Sequence, residues 1–257
     1  QQTTVPTVKT RFEEFIKIWP TLKDLAKTTE PKILKFWSGL GYYSRARNLL
    51  KAAKIIDKNF KSEIPNNYED LILLPGIGDY TAKAILGIGY NKSVMPLDAN
   101  IERILARLYA LNKPLIKIKQ KLSESAQLFL SKKHSSNLIQ SFMDYGSIIC
   151  TPRNPNCSIC GINKYCLSYQ KKIQNSIPVK VKKTTSKPKK FSRAYILINE
   201  KNEILVRKRA SKGMLASMLE VPNDDWVEKK SLLRRDAIVN KLQKKLIRKG
   251  ELNYSFS

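Results

Sequence analysis

LPGIGDYTAKAI, Leu74 to Ile85, is the stretch on which the reading of this chain turns. The residues before it, YEDLILL, have helical spacing and run into Pro75, which cannot continue a helix. Gly76 and Gly78 permit the turn that follows, because glycine takes positive φ at little cost. A second helix is expected from Asp79 or Tyr80 onward. Backbone N–H groups at such a turn and helix start can accept a phosphate without reading any base. The pattern over residues 74–85 is therefore that of a helix–hairpin–helix. An ordinary corner between two helices needs the same Pro and Gly, so this stretch alone leaves both readings open.

On either side the chain stays helical. Apolar residues recur every three or four positions in TRFEEFIKIWPTLKDLA, PKILKFWSGL, SRARNLLKAAKIID, ANIERILARLYAL and SNLIQSFMDYGSII. Short breaks with Pro, Gly or Asn separate them, and residues 10–150 read as all-α. Residues 171–190, KKIQNSIPVKVKKTTSKPKK, have two Pro, no periodicity and eight Lys without an acid, and read as a basic linker. The texture then changes. FSRAYILINEKNEILVRKR suggests a β-hairpin around an Asn-Glu-Lys-Asn turn, and SLLRRDAIVNKLQKKLIRKG suggests a helix. A small α/β domain over 191–257 is expected.

The 257 residues carry 48 Lys and Arg against 21 acids, a net charge of +27. That excess points to a polyanionic partner. It is spread along the chain: residues 1–170 have 25 bases and 13 acids, and residues 191–257 have 15 and 8. Codon bias toward Lys would give a similar spread, so charge alone does not establish nucleic acid as the partner. No apolar run is long enough to cross a membrane, and no secretory signal is expected at a polar start on Gln1. With a first residue other than Met, the natural N-terminus is expected to lie upstream.

All four cysteines fall between Cys150 and Cys166, in CTPRNPNCSICGINKYC. Disulfides do not suit a chain with no sign of secretion. Structural zinc normally shows two C-x2-C pairs or a Cys/His mixture, whereas one such pair is present and His134 is the only histidine. Cys150, Cys157, Cys160 and Cys166 on one short loop suit a [4Fe–4S] cluster, with one thiolate per iron; spacing favours that reading over the other two. Two further stretches carry chemistry or packing. In PLDANIERILARL, Asp98 stands where a helix N-cap belongs. In FWSGLGYYSRARNL, Tyr42 and Tyr43 precede Arg45 and Arg47, a mixture that can stack on bases and hold phosphates, or simply pack.

Taken together, these pieces resemble the adenine DNA glycosylase (MutY) family of base-excision repair enzymes. The resemblance starts at QQTTVPTV and runs through GLGYYSRARNL, LPGIGDYTAKAI, PLDANIERILARL, FMDYGSIICTP and the cysteines, covering roughly residues 1–170. It implies a mainly α, two-lobed helix–hairpin–helix glycosylase fold over 1–170, with the cluster loop at 150–166. It implies double-stranded DNA holding adenine opposite 8-oxoguanine or guanine as the partner, a monomer, no membrane, and a bacterial-type cytoplasm beside the nucleoid. The reaction would be hydrolysis of the N-glycosidic bond of a flipped adenine.

The roles implied by the resemblance are these. Asp98 matches the carboxylate that stabilises an oxocarbenium-like sugar, with Asn100 beside it. Gln140, in QSFMDYG, matches a contact to the flipped adenine, and Tyr42 matches the aromatic wedged beside the lesion. Gln1 and Gln2 match residues inserted near the mispair. Arg45, Arg47, Gly76, Gly78 and Arg153 belong to the DNA-binding set, and Lys164 is expected to face phosphate too. Tyr80 stands where endonuclease III-like relatives carry a Lys that forms a Schiff base; a phenol cannot, so a monofunctional glycosylase is expected. The general-acid Glu of the family's E-x-M-L-Q-Q-T would lie before Gln1, so residues 1–257 alone are expected to excise adenine at a negligible rate.

Residues 191–257 resemble the opening of that family's Nudix-like lesion-recognition domain, with Phe256 and Ser257 at the start of a short Phe-Ser-His loop. The Nudix hydrolase box is missing, so nucleotide hydrolysis is not expected. The alternative is a non-catalytic remnant that binds DNA or lesions.

Overall fold

The computed structural model describes residues 5–179, 189–210, 213, 216–241, 247 and 249–252. Gln1, Gln2, the middle of the basic segment, the end of the expected C-terminal helix, Phe256 and Ser257 lie outside them. The chain divides into two compact units, residues 1–182 and 183–257.

The first unit is helical. It comprises α1 (Val5–Ile18), α2 (Leu22–Ala26), α3 (Glu30–Phe36), α4 (Ser44–Asn59), α5 (Tyr68–Ile72), α6 (Asp79–Ala84), α7 (Ala99–Leu108), α8 (Leu115–Gln127), α9 (Ser135–Ile148) and α10 (Leu167–Gln170). Pro20 separates α1 from α2, whose start is fixed by a reciprocal Thr21–Asp24 capping box. The central helix is α4, which buries two faces. Ala46, Leu50 and Ala53 pack with Trp19, Leu25 and Ile33. Ala52 and Ile56 pack with Leu71, Leu74, Ala82 and Leu86. A third core joins α7, α8 and α9 through Ile101, Leu105, Ile118, Leu122 and Ile139.

The stretch from Leu74 to Ile85 folds as its residues demand. Asn67 caps α5 by accepting from the Asp70 N–H at 2.8 Å. The helix stops ahead of Pro75, and Gly76 takes φ +82°. A Cβ at Gly76 would meet Asn48 Cβ at 2.8 Å, so the turn also needs glycine for its close approach to α4. α6 begins at Asp79 and continues as a π-helical turn over Ile85–Gly89.

The sequence suggested a linker starting at residue 171, but residues up to 179 fold onto the helical unit. Ile177 is 1% exposed within the third core, and Val179 bridges Pro114. An apolar Ile177 in a lysine-rich segment has nowhere else to be buried.

The second unit contains the expected hairpin. Ile198 pairs with Ile204, and Asn199 O accepts from Asn202 N at 3.0 Å across the turn. Strands β1 (Arg207–Lys208) and β2 (Leu219–Glu220) pair antiparallel, and α11 (Ala237–Lys241) follows. Its interior is partly polar. Asp224 is 1% exposed and accepts from the Tyr195 hydroxyl at 2.7 Å and the Asp236 N–H at 3.0 Å, and Arg193 pairs with it. Burial, and then the Asp224 bond, push the Tyr195 phenol up to about 12, so it stays a neutral donor.

Candidate functional site

Helix α7 organises the site. Asp98 is its N-cap in extended backbone, and its Oδ1 accepts from the Ile101 N–H at 2.7 Å. Its Oδ2 accepts from Asn100 Nδ2 at 3.0 Å. Both carboxylate oxygens therefore have donors, which fixes the side chain at the mouth of the helix, where the dipole favours negative charge. Tyr80, in the first turn of α6, lies within the field of Asp98. Burial raises its phenol pKa first, and the Asp98 charge adds to that. Glu102, one turn further along α7, is likewise held up by burial and then by Asp98. Two carboxyl groups and a neutral phenol thus share one neighbourhood.

Behind Asp98 the helix is anchored by two buried arginines. Arg103, 6% exposed, donates to Asn100 Oδ1 at 2.8 Å, Gly146 O at 2.6 Å, Ala99 O at 3.1 Å and Cys150 O at 2.7 Å. Arg107, 2% exposed, donates to Ile177 O at 2.9 Å, Thr151 O at 2.7 Å and Cys150 Sγ at 3.3 Å. Gly146 on α9 is required here, because a Cβ would come within 2.6 Å of Asn100 Cβ. The sequence showed Asp98 and Asn100 but not these supports. Arg103 and Arg107 sit four apart on α7, and nothing in their spacing marks them as buried.

The cysteines border one cavity with Ile104, Arg107, Tyr145 and Ile149. None is in a disulfide. The loop between them is two short 3₁₀ turns, Cys157–Ile159 and Asn163–Tyr165, tied by Asn163 Nδ2 donating to Cys157 O at 3.0 Å. The Tyr145 hydroxyl donates to Cys160 Sγ at 3.1 Å; burial, and then Cys160, push that phenol up to about 12. Among the described residues, no three His, Cys, Asp or Glu side chains converge on a single-ion site. The four thiols instead line one shared cavity, with hydrogen-bond donors already aimed at two of the sulfurs. This donor set fits a polynuclear iron–sulfur group, which when bound supplies a rigid crosslink of four loop positions.

The other expected site residues are placed as follows. Gly76 and Gly78 form the hairpin turn. Tyr42 is 57% exposed with φ +45°. Arg45 lies over the rings of Tyr42 and Trp37, at 5.6 and 5.5 Å from their centroids. Arg47 is half-buried on α4. Gln140 is exposed on α9, its Nε2 donating to Ser136 Oγ at 3.1 Å. Arg153 and Lys164 are exposed on the cysteine loop. No helix among the described residues is long and apolar enough to cross a membrane.

Comparison with known proteins matches residues 1–128 to the HhH-GPD superfamily of base excision DNA repair proteins, and residues 150–166 to the iron–sulfur binding domain of endonuclease III. The four cysteines are therefore the ligands of a [4Fe–4S] cluster. The chain is similar to an adenine DNA glycosylase of Buchnera aphidicola from Schizaphis graminum, at 35% identity over 241 residues, spanning 90% of this chain and 69% of the relative. The human adenine DNA glycosylase is 28% identical over 290 residues, 95% of this chain and 53% of the relative. Among solved structures, a thermostable thymine-DNA glycosylase aligns with a TM-score of 0.61 at 28% identity, over 66% of this chain and 80% of that one. A trapped endonuclease III–DNA covalent intermediate aligns with a TM-score of 0.57 at 19% identity, over 67% and 80%, which supports the shared helical fold.

The purified protein is expected to be yellow-brown, with a broad absorbance near about 400 nm from thiolate-to-iron charge transfer. Elemental analysis finding zinc without iron would contradict the ligand assignment.

Proposed function

Because the chain belongs to the adenine DNA glycosylase family, we propose that it removes adenine paired with 8-oxoguanine or guanine by hydrolysing the N-glycosidic bond. The observation that carries this reading is the Asp98 carboxylate at the mouth of α7, held by the Ile101 N–H and Asn100 and backed by Arg103.

The bond to be broken is inaccessible inside the base stack, so the adenine must be flipped out. Gly76 and Gly78 let the hairpin grip the phosphate backbone while the duplex is distorted. Exposed Arg153 and Lys164 on the cysteine loop add further phosphate contacts. Gln140 would receive the flipped base. A general acid would protonate the adenine, and the C1′–N bond then breaks with its electrons leaving on the base. Asp98 faces the cationic sugar that remains. Its charge stabilises the developing cation, as one carboxylate of a glycosidase pair does while the other donates a proton. Water then adds to the sugar. The cluster braces the loop whose carbonyls hold Arg103 and Arg107, and takes no part in these steps. Residues 191–257 are read as the opening of the domain that senses the oxidised base.

Tyr80 decides the product. With a phenol in place of an amine, no Schiff base forms with the opened sugar, and the strand stays whole. Full-length protein should therefore release free adenine and leave an abasic strand that breaks only when alkali is added. Borohydride should trap no stoichiometric covalent complex; such a complex, with strand cleavage, would overturn the monofunctional reading.

A further inference from the structure

The sequence left Arg45 open as a phosphate or base contact or as packing, and its surroundings favour a role toward the neighbouring rings. Its Nε and Nη2 are out of solvent, and its guanidinium lies over two rings: Trp37 at 5.5 Å and Tyr42 at 5.6 Å. Tyr42 is the exposed member of that set. Its backbone is in the left-handed region at φ +45°, between Gly41 at φ +67° and the start of α4. A tyrosine there is disfavoured and persists only when neighbours over-determine it. Those neighbours are in place. The Arg45 N–H donates to Tyr42 O at 2.9 Å, and Trp37 Nε1 donates to Gly41 O at 3.1 Å. Arg11 closes the far side by donating to Phe36 O at 2.8 Å and Ser38 O at 3.2 Å.

We propose that Arg45 is a positioning residue for specificity: it clamps the Tyr42 ring against Trp37, so that the exposed ring enters the duplex in one orientation beside the oxidised base. This rests on the reading of Tyr42 as the lesion wedge. The physical reason is preorganisation. A ring that must find its orientation on binding gives up part of its stacking energy to ordering, whereas a ring already held does not. Arginine suits the task better than lysine because its flat guanidinium can lie against two rings at once. Phosphate contacts cannot discriminate the oxidised base from guanine, so a backbone role for Arg45 would change affinity for both duplexes alike.

The test uses the full-length iron-loaded protein and two duplexes carrying a non-cleavable adenine analogue, one opposite 8-oxoguanine and one opposite guanine. The readout is the ratio of the two dissociation constants in a double-mutant cycle of Tyr42→Ala and Arg45→Met. Each single variant is expected to lower the ratio by about fivefold to tenfold, and the pair no further than Tyr42→Ala alone. Arg45→Lys should fall between wild type and Arg45→Met. Should Arg45→Met fail to fold, the lysine variant carries the test, and a wild-type ratio in it overturns the proposal. Losses that multiply in the double variant, while Tyr42→Ala alone still lowers the ratio, overturn the clamp and leave the wedge standing. A Tyr42→Ala variant with an unchanged ratio removes the wedge itself.

Discussion

Asp98→Asn is expected to slow single-turnover adenine excision by about 10²- to 10³-fold or more, while duplex affinity and melting temperature stay near wild type. The separation follows from the two jobs of one side chain. As a cap, Asp98 needs only an oxygen to accept the Ile101 N–H at 2.7 Å, and asparagine caps helices as well as aspartate does. As a partner for a cationic sugar it needs its charge, which asparagine lacks. Asp98→Ala removes both and should cost about 1 kcal/mol of stability in addition to the rate loss. An Asn variant with wild-type excision would mean that Asp98 is a cap and nothing more.

The second large effect is expected at Arg107. Its guanidinium is buried among Ile177 O, Cys150 O, Thr151 O and Cys150 Sγ, so it holds α7 to the cysteine loop and to the residues that follow α10. Arg107→Met keeps the stem and deletes every donor, leaving buried carbonyls without partners. The expected cost is about 3–5 kcal/mol, several times that of a typical substitution. The absorbance of the cluster should disappear at a lower urea concentration than in wild type. Lys164→Ala, on the same loop but exposed, is the control and should leave the midpoint unchanged. Equal midpoints for Arg107→Met and wild type would contradict the bracing role.

The contrast between these residues explains what could be read in advance. Asp98 was legible because an N-cap announces itself by position, before an apolar-periodic helix. The turn at residues 75–78 was legible from Pro75, Gly76 and Gly78, but those residues alone did not separate a helix–hairpin–helix from an ordinary corner between helices. The cysteines were legible by spacing. Arg103 and Arg107 were not, since a buried arginine has the same letter as a solvated one, and their partners lie more than 40 residues away at Gly146 and Cys150. α8 escaped notice for a related reason. LIKIKQKL alternates apolar and basic residues at its start, and only the three-dimensional structure shows that Leu122 and Ala126 continue a helical face begun at Ile118. Ile177 was hidden by the lysines around it. For Arg45 the sequence left a nucleic-acid contact and plain packing both open, and only the structure shows its guanidinium lying over the Trp37 and Tyr42 rings.

The most direct measurement is single-turnover excision by the full-length iron-loaded protein on three duplexes of one sequence, with adenine opposite 8-oxoguanine, guanine or thymine. Free adenine should appear from the first two, faster opposite the oxidised base, with no release from the adenine–thymine duplex. Equal rates on all three duplexes, or release of the opposing base in place of adenine, would contradict the account.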